Sequence, residues 1–363
     1  MNKLMFITPL VPSPPSGGRA LLSALHRACL SALAGGGLLV EELDSAAAAG
    51  GVSRSKQIRG YIDGISPKSV DRILGRIRAE GVSHVYLDGS NLGRLAKAVR
   101  LGAPGVEVVS FFHNVEARFF LGALRETRSP RALAVLIANY AAERMAVRHS
   151  HKLVTLSRRD SAGLKRLYGR AGTHVLPMAM EDQLSAVPNG DGVGRYALFV
   201  GGAFYANEAG ARWFARNVAP EAALPTCIVG RGLERLRPEM EGLDSIEVVG
   251  GVESLGDWYL DAAVAIAPIF DGSGMKTKVA EALMYGKRII GTPEAFSGYE
   301  DVADEAGWMC RTREDFLAAF AEVRRAPPPR FDPAMRSLYE RLYSRDAAQQ
   351  RLAEILAIPN PGR

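Results

Sequence analysis

A chain of 363 residues, 47% hydrophobic and 23% charged, is long enough for two or three domains and too apolar to be disordered. Its three cysteines, Cys29, Cys227 and Cys310, are far apart and form no C-x-x-C or zinc spacing, which excludes a disulfide scaffold and points to packing in a reduced compartment. The net charge of +6 is uneven: residues 114–178 carry twelve Lys or Arg against four Asp or Glu, a face for phosphorylated substrates, anionic lipid or nucleic acid, or else a solvated arginine-rich surface.

The first residues, MNKLMFITPLVPSPPSGG, do not read as a signal peptide, because the apolar run is short and ends in prolines. No uninterrupted apolar stretch approaches the roughly 20 residues that cross a bilayer. Leu4 to Thr8 predicts a strand, followed by a turn and a helix from Arg19 to Leu33. Gly17 and Gly18 at that helix start suit either a phosphate site or a proline-stiffened turn. Leu38 to Glu42 predicts a second strand, and Asp44 to Ser66 a loop or broken helix. Pro67 to Glu80 has helical spacing, His84 to Asp88 reads as a strand and Asn91 to Leu101 as a helix.

Val106 to Phe112 predicts a strand ending in His113-Asn114-Val115-Glu116, with Arg118 beyond. A polar cluster directly after a buried strand lies at the carboxyl edge of the sheet, where ligands bind in open α/β folds, so His113 is a candidate site residue as well as a candidate structural one. Pro130 to His149 predicts a long helix with Leu133, Leu136, Tyr140 and Met145 on its apolar side. Strand Lys152 to Leu156, helix Asp160 to Tyr168 and strand His174 to Leu176 complete a first α/β domain with a parallel sheet, residues 1–180. The acidic, then glycine-rich stretch around residues 181–196 reads as a linker.

A second series begins with strand Ala197 to Val200, loop GGAFYANEAG and helix Ala211 to Val218. Gly201 and Gly202 let backbone approach a ligand, and Asn207 either caps the helix or touches that ligand. Strand Thr226 to Val229 leads to Gly230-Arg231-Gly232, and strand Ile246 to Val249 to Gly250-Gly251-Val252. A helix from Ser254 to Asp261 carries Trp258 as a packing residue. Strand Ala263 to Ile269 then enters Asp271-Gly272-Ser273-Gly274-Met275-Lys276-Thr277-Lys278, a helix ending near Gly286, and strand Arg288 to Gly291. Strand, glycine loop, helix, strand places free N–H groups and a positive helix end at a sheet edge. Lys276 and Lys278 at that positive end repel its dipole, which points to an anionic partner such as a diphosphate, and Glu281 one turn on suits a diol. A strand at Trp308 to Arg311, a helix at Glu314 to Arg325 and a helix from Ala334 to Ile358 close the chain.

The stretch GSGMKTKVAEALMYGKRIIGT, with FVGG…N…A..WF before it and HNVE earlier, resembles the retaining family 4 glycosyltransferases of the GT-B fold, in particular their bacterial surface-polysaccharide branch. The resemblance spans most of the chain and is sharp from Ala197 to Glu300 and around HNVE. It implies two Rossmann-like α/β domains facing a central cleft: an acceptor-side domain, residues 1–180, and a nucleotide-sugar domain, residues 197–332. A C-terminal segment, residues 333–363, is then expected to pack back on the first domain.

The resemblance implies a hexosyltransferase that moves a sugar from a nucleotide-diphosphate sugar, UDP or GDP, to a saccharide or polyprenyl-linked acceptor. It implies catalytic roles for His113, Lys276 and Lys278, and donor contacts from Gly17, Gly18, Gly201, Gly202, Arg231, Gly251, Val252, Gly272, Ser273, Gly274, Met275, Thr277 and Glu281. Glu281 would meet the ribose hydroxyls. The wider family has two glutamates, of which the second corresponds to Glu281 and the first falls where Ser273 stands, and an arginine and lysine where Ala203 to Asn207 stand, so Lys276 and Lys278 take over the phosphates. No metal and no resident cofactor is expected, the location is cytoplasmic or peripheral on the inner membrane face, and nucleic acid is not expected as a partner. An epimerase of the same fold, or a degenerate or nucleic-acid-binding scaffold, are the alternatives.

Overall fold

A computed structural model describes residues 3–11, 17–44, 57–188 and 192–360. The chain divides into two units, Met1–Pro177 with Arg345–Arg363, and Met178–Ser344.

The first unit is built on six parallel strands: β1 (Lys3–Pro9), β2 (Leu38–Leu43), β3 (Val82–Asp88), β4 (Glu107–Phe112), β5 (Lys152–Thr155) and β6 (His174–Val175). Their order is β2-β1-β3-β4-β5-β6. The central strands are apolar on both faces, as a parallel sheet covered by helices demands: Leu4, Met5, Phe6 and Ile7 are all fully buried, as are Val108, Val109, Phe111 and Phe112. The covering helices are α1 (Gly18–Ala34), α2 (Pro67–Glu80), α3 (Gly93–Gly102), α4 (Glu116–Thr127), α5 (Pro130–His149) and α6 (Arg158–Tyr168). A single 3₁₀ turn, Ser90–Leu92, precedes α3. Helix α2 has the predicted bounds because its ends are locally encoded: Ser66 and Ser69 form a capping box, Pro67 is the first helical residue, and Gly81 closes it at φ 66°.

Two features of this unit depart from the sequence reading. Helix α4 was not anticipated. Its first turn has no local cap; the buried Glu143 of α5 accepts from Glu116 N at 3.0 Å and Ala117 N at 3.2 Å. The other concerns α5, whose buried side is not Leu133, Leu136, Tyr140 and Met145. It is Ala138, Ala142, Glu143, Ala146 and Val147, while Leu133 is 45% and Tyr140 38% exposed. The reason is the crossing with α3. A Cβ on Gly93 would lie 1.9 Å from the Ala142 carbonyl oxygen, so the helices meet backbone to backbone and only alanines fit the seam.

The second unit repeats the layout with β7 (Tyr196–Val200), β8 (Thr226–Val229), β9 (Ile246–Gly250), β10 (Ala262–Ala267), β11 (Ile289–Gly291) and β12 (Gly307–Met309), all parallel, in the order β12-β11-β10-β7-β8-β9. Its helices include α7 (Tyr205–Asn217), α8 (Gly256–Asp261), α9 (Thr277–Met284), α10 (Arg313–Arg325) and α11 (Pro333–Leu342). Helix α7 begins at Tyr205 rather than Ala211, so YANEAG is helix, not loop. The expected helix 334–358 is two: α11, which packs on α9 within the second unit, and α12 (Arg345–Leu356), which packs on α1 within the first. The break falls at Tyr343–Ser344, where Ser344 bridges to Met180.

The stretch 181–196, read as a linker, is held in the second unit. Asp182 pairs with Arg336, Gln183 N donates to Met284 Sδ at 3.4 Å, and Arg195 pairs with Asp261. Residues 189–191 of that stretch, residues 12–16 of the proline-rich turn and residues 45–56 of the expected loop lie outside the described residues. Among the described residues no helix is long and apolar enough to cross a membrane.

In GKRIIG, Lys287 is only 1% exposed, and its ammonium donates to the carbonyls of Ala262 at 2.7 Å, Leu260 at 3.2 Å and Arg330. Leu260 and Ala262 sit at the amino end of β10, away from the carboxyl edge, so this lysine of the motif is structural.

The α3–α5 seam gives a direct test. Gly93→Ala lowers unfolding stability by about 1–3 kcal/mol, the usual range for overpacking, as read from urea denaturation; an unchanged midpoint would show that the helices do not meet there.

Candidate functional site

In the second unit the strand order reverses between β7 and β10, and their loops and following helices open a crevice at the carboxyl edge. The residues after these two strands converge. Lys278, in the first turn of α9, places its Nζ 4.4 Å from the centre of the Phe199 ring of β7 and donates to Asn207 Oδ1 at 2.9 Å. Asn207, in the first turn of α7, donates in turn to the Gly202 carbonyl at 2.9 Å. Asn207 is therefore not the cap of α7, whose N-cap is Phe204 with no side-chain hydrogen bond. It ties the β7 loop to the α9 lysine.

The two lysines are not equivalent. Lys276 is the N-cap residue of α9; its Nζ pairs with Glu294 at 2.9 Å and donates to the Gly274 carbonyl at 3.0 Å. Lys278 has an amide oxygen and an aromatic face but, among the described residues, no carboxylate in contact. Burial lowers its pKa to about 7, opposed by Glu281 and reinforced by Lys276. Glu281 accepts from Tyr259 Oη at 2.9 Å; burial raises its pKa, and the Tyr259 hydrogen bond and Lys278 oppose the rise. No side chain caps α9 and no acid stands in its first turn, so its positive end is uncompensated from within the helix.

The glycines supply bare backbone around this lysine. A Cβ on Gly230, φ 150°, would lie 1.6 Å from the Gly201 carbonyl oxygen, so the loops after β7 and β8 touch through backbone alone. Gly202 is open: an added Cβ would meet nothing within 4 Å. Arg231 is exposed at the same edge, and its carbonyl accepts from Ala203 N at 3.0 Å. Gly251 stands against Arg231, where an added Cβ would lie 3.4 Å from its Cα, and Val252 follows it half-buried. Ser273 is exposed, between Gly272 at φ 139° and Gly274 at φ 65°, and Thr277 is half-buried as the first residue of α9. Met275 differs from its neighbours: it is 7% exposed, packed against Gly298, and its Sδ accepts from Met178 N at 3.3 Å. Its side chain pins the loop from inside.

In the first unit, the reversal of strand order lies between β1 and β3. His113 Nε2 is 2.9 Å from Asp88 Oδ1, and Thr8 Oγ1 donates to Asp88 Oδ2 at 2.8 Å. Asp88 is fully buried. Burial alone would raise its pKa, but the charge and hydrogen bond of His113, with His26 and Ser23, hold it well below the ordinary carboxylate range. Asp88 thus fixes the His113 ring. It was missed from the sequence, where it ends a strand before a glycine and carries no motif. Burial raises the Glu116 pKa to about 7; Arg19 opposes this, and Glu143 and Asp63 add to it. Gly17 is the N-cap of α1 at φ 82°, followed by Gly18 as its first residue, and that helix start also has no side-chain cap. Arg118 is exposed.

Residues 194–325 match the family model described as glycosyl transferases group 1. Residues 194–325 thus form a group 1 glycosyl transferase domain, within a chain that has the GT-B fold. This glycosyltransferase is similar to a sucrose-phosphate synthase from Thermosynechococcus elongatus, with 15% identity, TM-score 0.71 and 98% of each chain covered. It is also similar to Anabaena HepE solved with UDP, at 11% identity and TM-score 0.66, covering 98% of this chain and 99% of that one. A third is the lipopolysaccharide outer core galactosyltransferase WaaB, at 12% identity and TM-score 0.63, with 98% and 99% covered. No curated protein sequence matches it significantly.

The glycosyltransferase carries two lysines, Lys278 and Lys287, whose pKa burial lowers from 10.5 to about 7. The unfolded chain holds both protons up to the ordinary lysine range and the folded chain releases them, so stability rises with pH above about 7. Urea titrations between about pH 7.5 and 9 read this slope, and Lys278→Met reduces it by about one proton. A slope untouched by that change would place Lys278 in water.

Proposed function

We propose that this glycosyltransferase moves a hexosyl group from a nucleotide-diphosphate sugar, UDP-linked in the first instance, with retention and without a metal ion. The observation that carries the reading is Lys278: a cation aimed at an aromatic face and an amide, without a carboxylate in contact, beside two uncapped helix starts at a sheet reversal. Breaking the anomeric bond puts negative charge on the diphosphate and positive character on the sugar carbon. Lys278, the N–H groups at the start of α9 and the backbone of Gly201 and Gly202 are assigned to the first charge. Lys276 joins them by sharing its proton donors with Glu294. This cationic set can neutralise a leaving diphosphate as a divalent metal does elsewhere, which supports the metal-free reading.

Glu281, with one oxygen accepting from Tyr259, is assigned to the ribose diol. The loop after β9, at Gly251 and Val252, is assigned to the base, and Arg231 to the phosphates. In the first unit, the Asp88-held His113 is assigned to the transfer step, as a hydrogen-bond partner of the sugar. That HepE has been solved with UDP and with UDP-glucose supports the nucleotide, and the lipopolysaccharide galactosyltransferase supports an acceptor of saccharide or lipid-linked type in surface polysaccharide synthesis. Work at the cytoplasmic membrane face fits such an acceptor.

The lysines separate in a binding experiment. Lys278→Ala weakens UDP-glucose binding by more than about tenfold, the loss of one desolvated charge-assisted contact, whereas Lys276→Ala, whose charge Glu294 already answers, weakens it less. The donor diphosphate does not titrate near neutrality, so wild-type affinity falls as pH rises above about 7, because binding must then restore the Lys278 proton. Calorimetry against UDP-, GDP-, ADP- and dTDP-sugars reads both effects and the nucleobase; equal losses from the two lysines would contradict the assignment. For the histidine, His113→Ala lowers turnover by about 10²-fold or more while the donor Kd stays put, measured by product formation and calorimetry. Donor consumed without any acceptor would instead indicate an epimerase.

A further inference from the structure

The first unit holds a groove of about 610 Å³ between α3, α5 and the segment 57–61. Its charged lining is Arg59, Arg94, Lys97, Arg144, Arg148 and His149, and among the described residues no carboxylate faces it. The helices place these groups. On α3, Arg94 and Lys97 are one turn apart, and on α5 Arg144 and Arg148 are one turn apart, so the Gly93–Ala142 crossing sets two cationic pairs on facing walls. Ile58 and Arg59 form the third side, and Gly60 beside them packs on Met145, where an added Cβ would lie only 2.2 Å from Cε.

Elsewhere this chain pairs its arginines: Arg336 with Asp182, Arg212 with Glu239, and Arg72 and Arg76 with the buried Glu41. In the groove the four arginines and the lysine make no ion pair among the described residues. Arg94 is fixed rather than loose. Its Nη2 donates to Tyr61 Oη at 2.7 Å and its guanidinium lies 4.6 Å over the Tyr61 ring, yet its Nε is buried without a partner. His149 reports the field: burial lowers its pKa, and Lys97, Arg148 and Arg100 lower it further. Like charges held this close repel unless an anion sits among them.

A single carboxylate would neutralise one of these cations. Several arginines around one volume suit phosphate, whose oxygens accept paired N–H donors and whose diesters and diphosphates carry more than one charge. The volume fits a phosphate or diphosphate with an attached small group, and Ile58 and Tyr140 add an apolar wall.

We propose that the α3–α5 groove binds a phosphorylated ligand, at a site belonging wholly to the first unit and separate from the donor residues of the second. The ligand chemistry is a phosphate or diphosphate ester, carried by an anionic lipid headgroup or by a soluble sugar phosphate. This does not depend on the donor assignment.

The test titrates the full chain with inorganic pyrophosphate at low salt, in wild type, in Arg144→Gln/Arg148→Gln and in Lys278→Ala. Both arginines are exposed, so the double variant keeps the fold, checked by circular dichroism; Lys97→Gln provides an independent wall. Groove binding predicts that the double variant loses about tenfold or more in affinity at a site that Lys278→Ala retains. Equal affinity in wild type and the double variant overturns the site. Sedimentation with phosphatidylglycerol but not phosphatidylcholine vesicles, lost in the double variant, assigns the lipid headgroup. Pyrophosphate binding without sedimentation assigns the soluble ester. Binding of single-stranded RNA with none of pyrophosphate overturns the proposal in favour of a nucleic-acid surface.

Discussion

A cation without a carboxylate in contact, seated on an aromatic ring, organises the second unit. Lys278 would be unstable there in isolation, because half-burial strips its water and Lys276 repels it. Two things hold it. The Phe199 face lies on β7 and the Asn207 oxygen on α7, the helix that follows that strand, so both are fixed by the parallel sheet. Asn207 also holds the Gly202 carbonyl, so the lysine, the glycine loop and the start of α7 form one unit. The site is preorganised by this connection and not by any one residue.

The same economy of side chains appears wherever loops must come close. Gly230 lets the β7 and β8 loops touch at the carboxyl edge, and Gly93 lets α3 and α5 touch beside the first sheet. In each case, removing a side chain brings polar backbone or charged neighbours together. The α5 seam of alanines has a second consequence. By burying its small residues, the helix turns Leu133, Ile137 and Tyr140 outward and lines the cationic groove with Arg144 and Arg148. Packing on one face thus decides the chemistry shown on the other.

Much of the fold was legible because its signals are local. Helix α2 begins with serines and proline and ends in glycine, and α5 begins with Ser129 and Pro130, so their bounds follow from capping chemistry alone. Apolar runs such as Leu4–Ile7 mark doubly covered parallel strands. Helix α4 was not legible because its N-terminus is closed by Glu143, which lies on another helix. The α5 face was misread because large apolar residues were taken as its buried side, whereas the fit to Gly93 selects the alanines. Of the candidate site, His113 and the two lysines stood out by position, but Asp88 and the Lys276–Glu294 pair did not, since each joins residues whose spacing carries no period.

The sequence by itself determined two α/β units with parallel sheets, the strand edges that carry glycines and cations, and a glycine-rich loop before α9. These follow from periodicity, capping and the φ freedom of glycine, which act over a few residues. Only the tertiary structure decided which lysine is ion-paired and which is not, which side of α5 is buried, and which carboxylate holds the histidine. Each of those depends on where a distant strand or helix comes to rest, and long-range packing writes no pattern into the neighbouring residues.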